Sequence, residues 1–147
     1  MADPLTDESL VLSTLLNDPT VSIVAHLGKT TIDLEQGNYV LSDIIECDFP
    51  GYAPVAPVTF DAFQLPDPIQ GEAVSQPIRF TAGAIVTPQA ATCAYITVQK
   101  QGEAAVLWQL FPLLNEWIFD FAGRSYAFAL RVRSLSESFT PTFVEAV

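Results

Sequence analysis

A chain of 147 residues carrying a net charge of −11, half of it apolar and only 16% of it charged, has the size of one domain and ample material for a core. Ten Phe, four Tyr and two Trp argue against intrinsic disorder. The acid is lopsided: residues 1–78 hold twelve acids against Lys29 alone, whereas residues 79–147 balance five acids with five bases. Such a chain repels phosphate, which disfavours sequence-independent binding of nucleic acid and of anionic membranes.

In chain order, the N-terminus is acidic and polar, unlike a secretory signal. No stretch reaches the roughly 18 uninterrupted apolar residues of a membrane span, so assembly in a cytosol is expected. Asp7 to Asn17 reads as a helix, with Leu12, Leu15 and Leu16 on one face and Asn17-Asp18-Pro19 as its stop. Residues 1–19 are therefore expected to form an N-terminal helical arm, free to pack on the domain or to reach a neighbouring subunit. A β domain over residues 20–133 follows. Val21 to Leu27 is its first strand, and Gly28-Lys29-Thr30 turns the chain. A loop with room for a short strand at Thr30 to Leu34 leads to a second short helix, Ser42 to Cys47, capped by Ser42 and stopped by Pro50-Gly51.

Val55 to Leu65 is the next strand region, with Pro54 and Pro57 confining its start to an edge or an irregular approach. Pro66, Pro68, Gly71 and Pro77 make an extended surface loop. Pro77 to Val86 opens a run of β segments. Ala94 to Gln99 and Ala104 to Phe111 read as one hairpin, and Trp117 to Ala122 with Ser125 to Arg133 as another, with Gly123-Arg124 at the tip. Tyr126, Phe128, Leu130 and Val132 share the core face of the last strand. Ala127, Ala129, Arg131 and Arg133 share the other, which suits solvent or an acidic partner. Residues 134–147 carry Phe139 and Phe143 around Thr140-Pro141-Thr142, too apolar for a plain disordered end, and are expected to dock on a sheet or on another subunit. The pattern as a whole predicts a mainly β fold, an antiparallel β-sandwich or small barrel, with the two helices as decoration. Low charge beside high apolar content suggests that part of the apolar surface is buried between subunits.

Chemistry is sparse. The single histidine, His26, sits in an apolar strand, where histidine is most often structural. A Cys47–His26 nucleophile–base pair has no supporting signature. Two cysteines are too few for a disulfide scaffold and lack zinc-site spacing; Cys47 and Cys93 are expected as buried thiols, with a bridge between them left open. Asp43, Glu46 and Asp48 cluster, with Asp43 and Glu46 on one helical face, but no calcium-loop pattern is present and a solvated acidic turn is the simpler reading. Trp108, Trp117 or Tyr95 could stack on a sugar, although core packing is the commoner fate of such aromatics. There is no phosphate loop and no nucleophile elbow. No catalytic residue, metal or cofactor is expected.

The segment Leu41 to Val55 reads Leu-Ser-Asp-Ile-Ile-Glu-Cys-Asp-Phe-Pro-Gly-Tyr-Ala-Pro-Val. Physically, Phe49, Pro50, Gly51 and Tyr52 make a structural corner: Pro50 fixes one dihedral, Gly51 permits the unusual one, and the two rings clamp the corner onto a sheet. The segment resembles a family of small proteins encoded among the structural genes of tailed bacteriophages and their prophages. In that family a Leu-x-Asp-Leu-x-Glu-Ala-x-Phe-x-Gly-Tyr-Ala segment precedes several β-strands. A looser likeness extends over the strands that follow, including Val106-Leu107-Trp108. The resemblance implies a virion structural or accessory protein with no catalytic residues to carry over. The expectation is a capsid decoration (cement) protein in the virion, a homo-oligomer that bridges the major capsid protein or other virion proteins. Leu12, Leu15, Leu16, Phe139 and Phe143 are its candidate subunit contacts. A tail, neck or fibre component is the alternative, and a glycan-binding or glycan-active virion protein is third.

Overall fold

The structure is a computed structural model and describes residues 20–33, 39–59, 71–85, 87–134 and 139–146. Its described residues are mainly strand, in two antiparallel sheets that enclose one core. The first sheet has the order β1-β4-β5, with β1 at Val21–Gly28, β4 at Gln89–Lys100 and β5 at Val106–Phe119. In the second, β6 (Ser125–Ser134) is central. It pairs with β2 (Gly71–Val74), β3 (Ile78–Thr81) and β7 (Phe139–Ala146). Val132 pairs with both Ala73 and Pro141, and Phe128 with both Ile78 and Glu145. β2 and β3 therefore follow one another along one edge of β6, and β7 takes the other edge. Neither sheet closes into a barrel; the arrangement is that of a sandwich.

Alternation explains the core. Ile23, Ala25 and Leu27 of β1 point inward, as do Ala94, Ile96 and Val98 of β4. Ile78 and Phe80 of β3 and Tyr126, Phe128 and Leu130 of β6 meet them from the second sheet. Trp117 and Phe119 at the end of β5 join the two layers, Trp117 stacking on Tyr126 with centroids 5.1 Å apart. Prolines sit where a strand can spare a donor: Pro112 is on β5 and Pro141 on β7, the outer strands of their sheets.

Four expectations change. The second hairpin is not one: β5 and β6 belong to different sheets, although only Asp120–Arg124 separates them. The turn's backbone bonds go to the end of β3 instead, Gly123 N–H to Ala82 O at 2.9 Å and Ala82 N–H to Arg124 O at 2.8 Å. The chain thus arches from one sheet to the other, and its aromatic rings stack across the core. The helix over Ser42 to Cys47 shrinks to a 3-10 turn at Leu41–Asp43. Ser42 does not cap it; the Asp43 carboxylate accepts the Val40 N–H at 2.9 Å. After that turn the segment becomes extended to pair with the outer edge of β1. Residues 30–33 form no strand, and of the expected strand from Val55 the described part holds only a bridge between Val55 and Ala25. The first hairpin is present but longer and irregular. Leu113, Leu114, Asn115 and Glu116 of β5 stand opposite Thr92 alone, between the pairs Cys93–Pro112 and Ala91–Trp117.

The N-terminal arm, with Leu12, Leu15 and Leu16, lies outside the described residues. Residues 139–146 add to the β domain as β7, where Phe139 lies opposite Ser134 and Phe143 opposite Leu130.

Two side-chain devices complete the sheets. Between β2 and β3 the ladder to β6 is interrupted, and the register shifts by one residue across Ser75-Gln76-Pro77. Ser75 closes the gap: its N–H donates to Leu130 O at 2.8 Å, and its buried hydroxyl oxygen accepts the Leu130 N–H at 2.8 Å. At the arch, the Tyr126 hydroxyl takes the N–H of Ile118 at 3.3 Å and two N–H groups of Arg124 at 3.2 and 2.8 Å.

Candidate functional site

The resemblance-bearing segment runs along the free edge of β1. Lys29 N–H donates to Ile45 O, Cys47 N–H to Leu27 O, and Val58 N–H to Ile23 O, while Ala25 and Val55 exchange both bonds at 3.0 Å. The corner between these contacts is a tight turn in which Tyr52 N–H donates to Phe49 O at 2.9 Å and Gly51 has φ +89°. Gly51 lies against a second glycine: Gly83 N–H donates to Pro50 O at 2.6 Å, and a Cβ on Gly51 would fall 2.3 Å from Gly83 N. Phe49 is buried and stacks on Phe119 with centroids 4.0 Å apart, and Tyr52 stacks on Phe80 at 5.8 Å. The four corner residues thus couple the edge of the first sheet to the aromatic core.

Tyr52 reaches around that edge. Its hydroxyl accepts the Leu27 N–H at 3.1 Å and donates to Glu46 Oε2 at 2.5 Å. The same carboxylate oxygen lies 2.7 Å from His26 Nδ1, and His26 Nε2 lies 2.9 Å from Thr97 Oγ1. A carboxylate only accepts, so Nδ1 carries the proton; in the neutral ring Nε2 then accepts from the Thr97 hydroxyl. The imidazole stacks on Tyr95, its cross-strand neighbour, with centroids 4.6 Å apart and planes within 5°. Burial holds the Tyr52 phenol well above its ordinary pKa, helped by its hydrogen bond to Glu46, so it stays a donor; burial raises Tyr95 as well.

Carboxylate, imidazole and hydroxyl stand in the order of a nucleophilic triad. Thr97, however, is 3% exposed on the middle strand of its sheet, too buried for a substrate to meet its oxygen. Both ring nitrogens of His26 are engaged within the protein. The arrangement pins segment 41–52 to the outer face of the first sheet, where Ile44 packs with Cys93 and Tyr95 in a second apolar cluster.

The paired-thiol and acidic-cluster readings resolve geometrically. Cys47 is on the inner, core side of the sheet and His26 on the outer side, so they do not form a pair. Cys47 and Cys93 are free and buried. β1 runs between them, since Cys93 pairs with Gly28 on one edge and Cys47 bonds Leu27 on the other. Two strand spacings, about 9.6 Å, exceed the span of a disulfide. Burial pushes the Cys47 thiol up to about 12 and Cys93 up to about 11. Asp43, Glu46 and Asp48 each have separate partners: Val40 N–H, the His26–Tyr52 pair, and Lys29 with Gln89. Lys29 and Gln89 hold the exposed Asp48 carboxyl below its ordinary value. Among the described residues no group of three such side chains could hold a metal ion.

Tyr95 and Trp117 are buried and offer no sugar platform, whereas Trp108 is half-buried beside an open groove of about 280 Å³ that Ile32, Asp33, Tyr39, Leu107 and Leu110 also line. Sequence reasoning noted His26 but missed Glu46, Tyr52 and Thr97 as its partners. The available signal was parity: once Glu46 bridges Gly28, its side chain lies on the outer face and that of Cys47 on the inner one. Comparison with protein-family models, with curated proteins and with solved structures finds no match for this chain.

Proposed function

We propose that this protein is a bacteriophage virion component that works by binding, as a capsid decoration protein bridging capsid subunits. The observation that carries the reading is the Leu41 to Val55 segment. The residues that resemble the phage family are those that lock the edge of β1 to the core through Gly51, Phe49 and Tyr52. Two further features fit a role by contact. The one histidine-centred network is spent internally. Large apolar side chains face outward on separate parts of the surface: Leu114 is 88% exposed, Ile45 60%, Val40 57% and Phe121 51%. Contacts of this kind are individually weak and gain strength by repetition over a symmetric lattice.

The test is the copy number of the protein in purified virions, by quantitative mass spectrometry against the major capsid protein. A number comparable with the capsid protein supports decoration. A number in the range of tail proteins replaces this reading with a tail, neck or fibre role, and absence from the virion refutes it.

A further inference from the structure

Segment 40–46 covers part of the outer face of the first sheet and rests on it through few groups. Ile44 is its buried apolar side chain and packs with Cys93 and Tyr95; Val40 and Ile45 are exposed, and Leu41 is partly buried. Backbone bonds tie the segment at Ile45, whose carbonyl accepts the Lys29 N–H at 2.8 Å and whose N–H donates to Thr30 Oγ1 at 2.6 Å. The chain just beyond is anchored on the other side of the sheet. Cys47 and Phe49 are buried in the main core, and the Pro50-Gly51 turn lies against Gly83.

Between these two regimes stands Glu46, on which two donors converge. Its Oε2 accepts from the Tyr52 hydroxyl at 2.5 Å and from His26 Nδ1 at 2.7 Å. Both donors are committed. The Tyr52 oxygen already accepts the Leu27 N–H, and His26 Nε2 faces Thr97 Oγ1. The His26 side chain is 15% exposed and that of Glu46 37%, so solvent protons reach the carboxylate while the segment is in place. Acid acts on the pair in two opposed ways. A proton gained by the imidazole puts a cation against the carboxylate and tightens the contact. A proton gained by Glu46 weakens the acceptor that both donors share and leaves a largely buried imidazolium without a counter-charge. The neighbouring groups do not replace it. Burial keeps Tyr52, Tyr95, Cys47 and Cys93 protonated, Asp43 bonds Val40 N–H within its own turn, and Asp48 is held by Lys29 and Gln89. Among the described residues Glu46 is the acid within ion-pair reach of His26.

We propose that segment 40–46 is a pH-latched strap: the Glu46 carboxylate holds it closed, and protonation of that carboxylate lets it lift from the first sheet while the core stays folded. The hinge is the anchored stretch from Cys47 to the Phe49–Tyr52 corner. Opening withdraws Ile44 and uncovers Cys93 and Tyr95 on the outer face. It leaves the inner core intact, because Ile23, Leu27, Ile96, Trp117 and Phe119 lie on the far side of the sheet. Such local opening needs less free energy than global unfolding wherever few buried contacts are broken. The proposal stands apart from the virion reading, so absence from virions leaves its test unaffected.

The two buried thiols report on the two sides of the sheet, Cys93 under the strap and Cys47 in the core. The experiment is pulse labelling of the full natural chain with 4,4′-dithiodipyridine from pH 7.5 to pH 4. Modification at each cysteine is quantified by peptide mass spectrometry and divided by the rate of free cysteine at the same pH. The expected result is a corrected Cys93 rate that rises about tenfold or more towards pH 4, the scale of losing a charge-assisted pair of bonds, while Cys47 stays protected. Glu46→Gln should label at Cys93 at pH 7.5 about as fast as the natural chain at pH 4 and lose most of the pH dependence, whereas Asp48→Asn should keep it. If Glu46→Gln does not fold, its Cys47 is labelled too, and the profile of the natural chain then decides alone. A Cys93 rate that stays level, or that rises only together with that of Cys47, would overturn the proposal. So would a pH dependence that survives in folded Glu46→Gln.

Discussion

Replacing Tyr52 by Phe isolates the pin that holds the phage-like segment to the sheet. The ring keeps its stack on Phe80, 5.8 Å between centroids, and its edge contact with Phe49. Only the hydroxyl is lost, and with it two bonds. Leu27 is fully buried, so its N–H, now without the acceptor at 3.1 Å, is left unsatisfied at a cost of about 1–3 kcal/mol. The bond to Glu46 is charge-assisted, but that side chain is 37% exposed and water replaces much of it, which reduces its share to about 0.5–1 kcal/mol. The expected loss is about 2–3 kcal/mol. Urea unfolding followed by the fluorescence of the buried Trp117 reads it as a midpoint lower by about 1 M, with the slope unchanged. Combining Tyr52→Phe with Glu46→Gln should be non-additive by about 1 kcal/mol, since both changes touch one bond. A Tyr52→Phe midpoint within about 0.3 M of the natural chain would refute the claim that this hydroxyl closes the edge of β1.

Gly51→Ala should cost more than Gly102→Ala, although both residues have positive φ. Strain alone is about 1–2 kcal/mol, and at Gly51 the new Cβ also meets backbone at 2.3 Å, whereas nothing lies within 4 Å at Gly102. Equal melting temperatures for the two variants would contradict the close approach of Gly51 and Gly83. Ser75→Ala should destabilise by about 1–3 kcal/mol by orphaning the buried Leu130 N–H, and hydrogen exchange at Leu130 should rise with it. Stability should fall as pH rises above 9. The unfolded thiols release their protons near 9.0, while folded Cys93 and Cys47 hold theirs until about 11 and about 12, so the folded state binds more protons in that window. Urea midpoints that stay level or rise between pH 9 and 11 would refute this. Both thiols should be inert to a disulfide reagent in the native protein at pH 8 and react in urea.

The β class, the first strand, the first hairpin and the core face of the last long strand were legible because alternation is local: Tyr126, Phe128 and Leu130 turn inward wherever β6 is placed. The corner at Phe49 to Tyr52 was equally legible, since Pro50 and Gly51 restrict the backbone by themselves. The turn at Gly123 was legible only as a turn. Whether it closes a hairpin or an arch depends on where its backbone bonds go, and Ala82, some forty residues earlier in the chain, receives and supplies them. The helix expected over Ser42 to Cys47 yielded to the edge of β1, which offers backbone partners that a short isolated helix cannot match. The partnership of His26 with Glu46, Tyr52 and Thr97 likewise joins residues up to 71 apart. The sequence by itself therefore determined which residues are apolar, which face they take within a strand, and where the chain must bend. Only the tertiary structure decided which edges pair and which polar groups meet, because those follow from long-range register and the need to satisfy buried backbone groups.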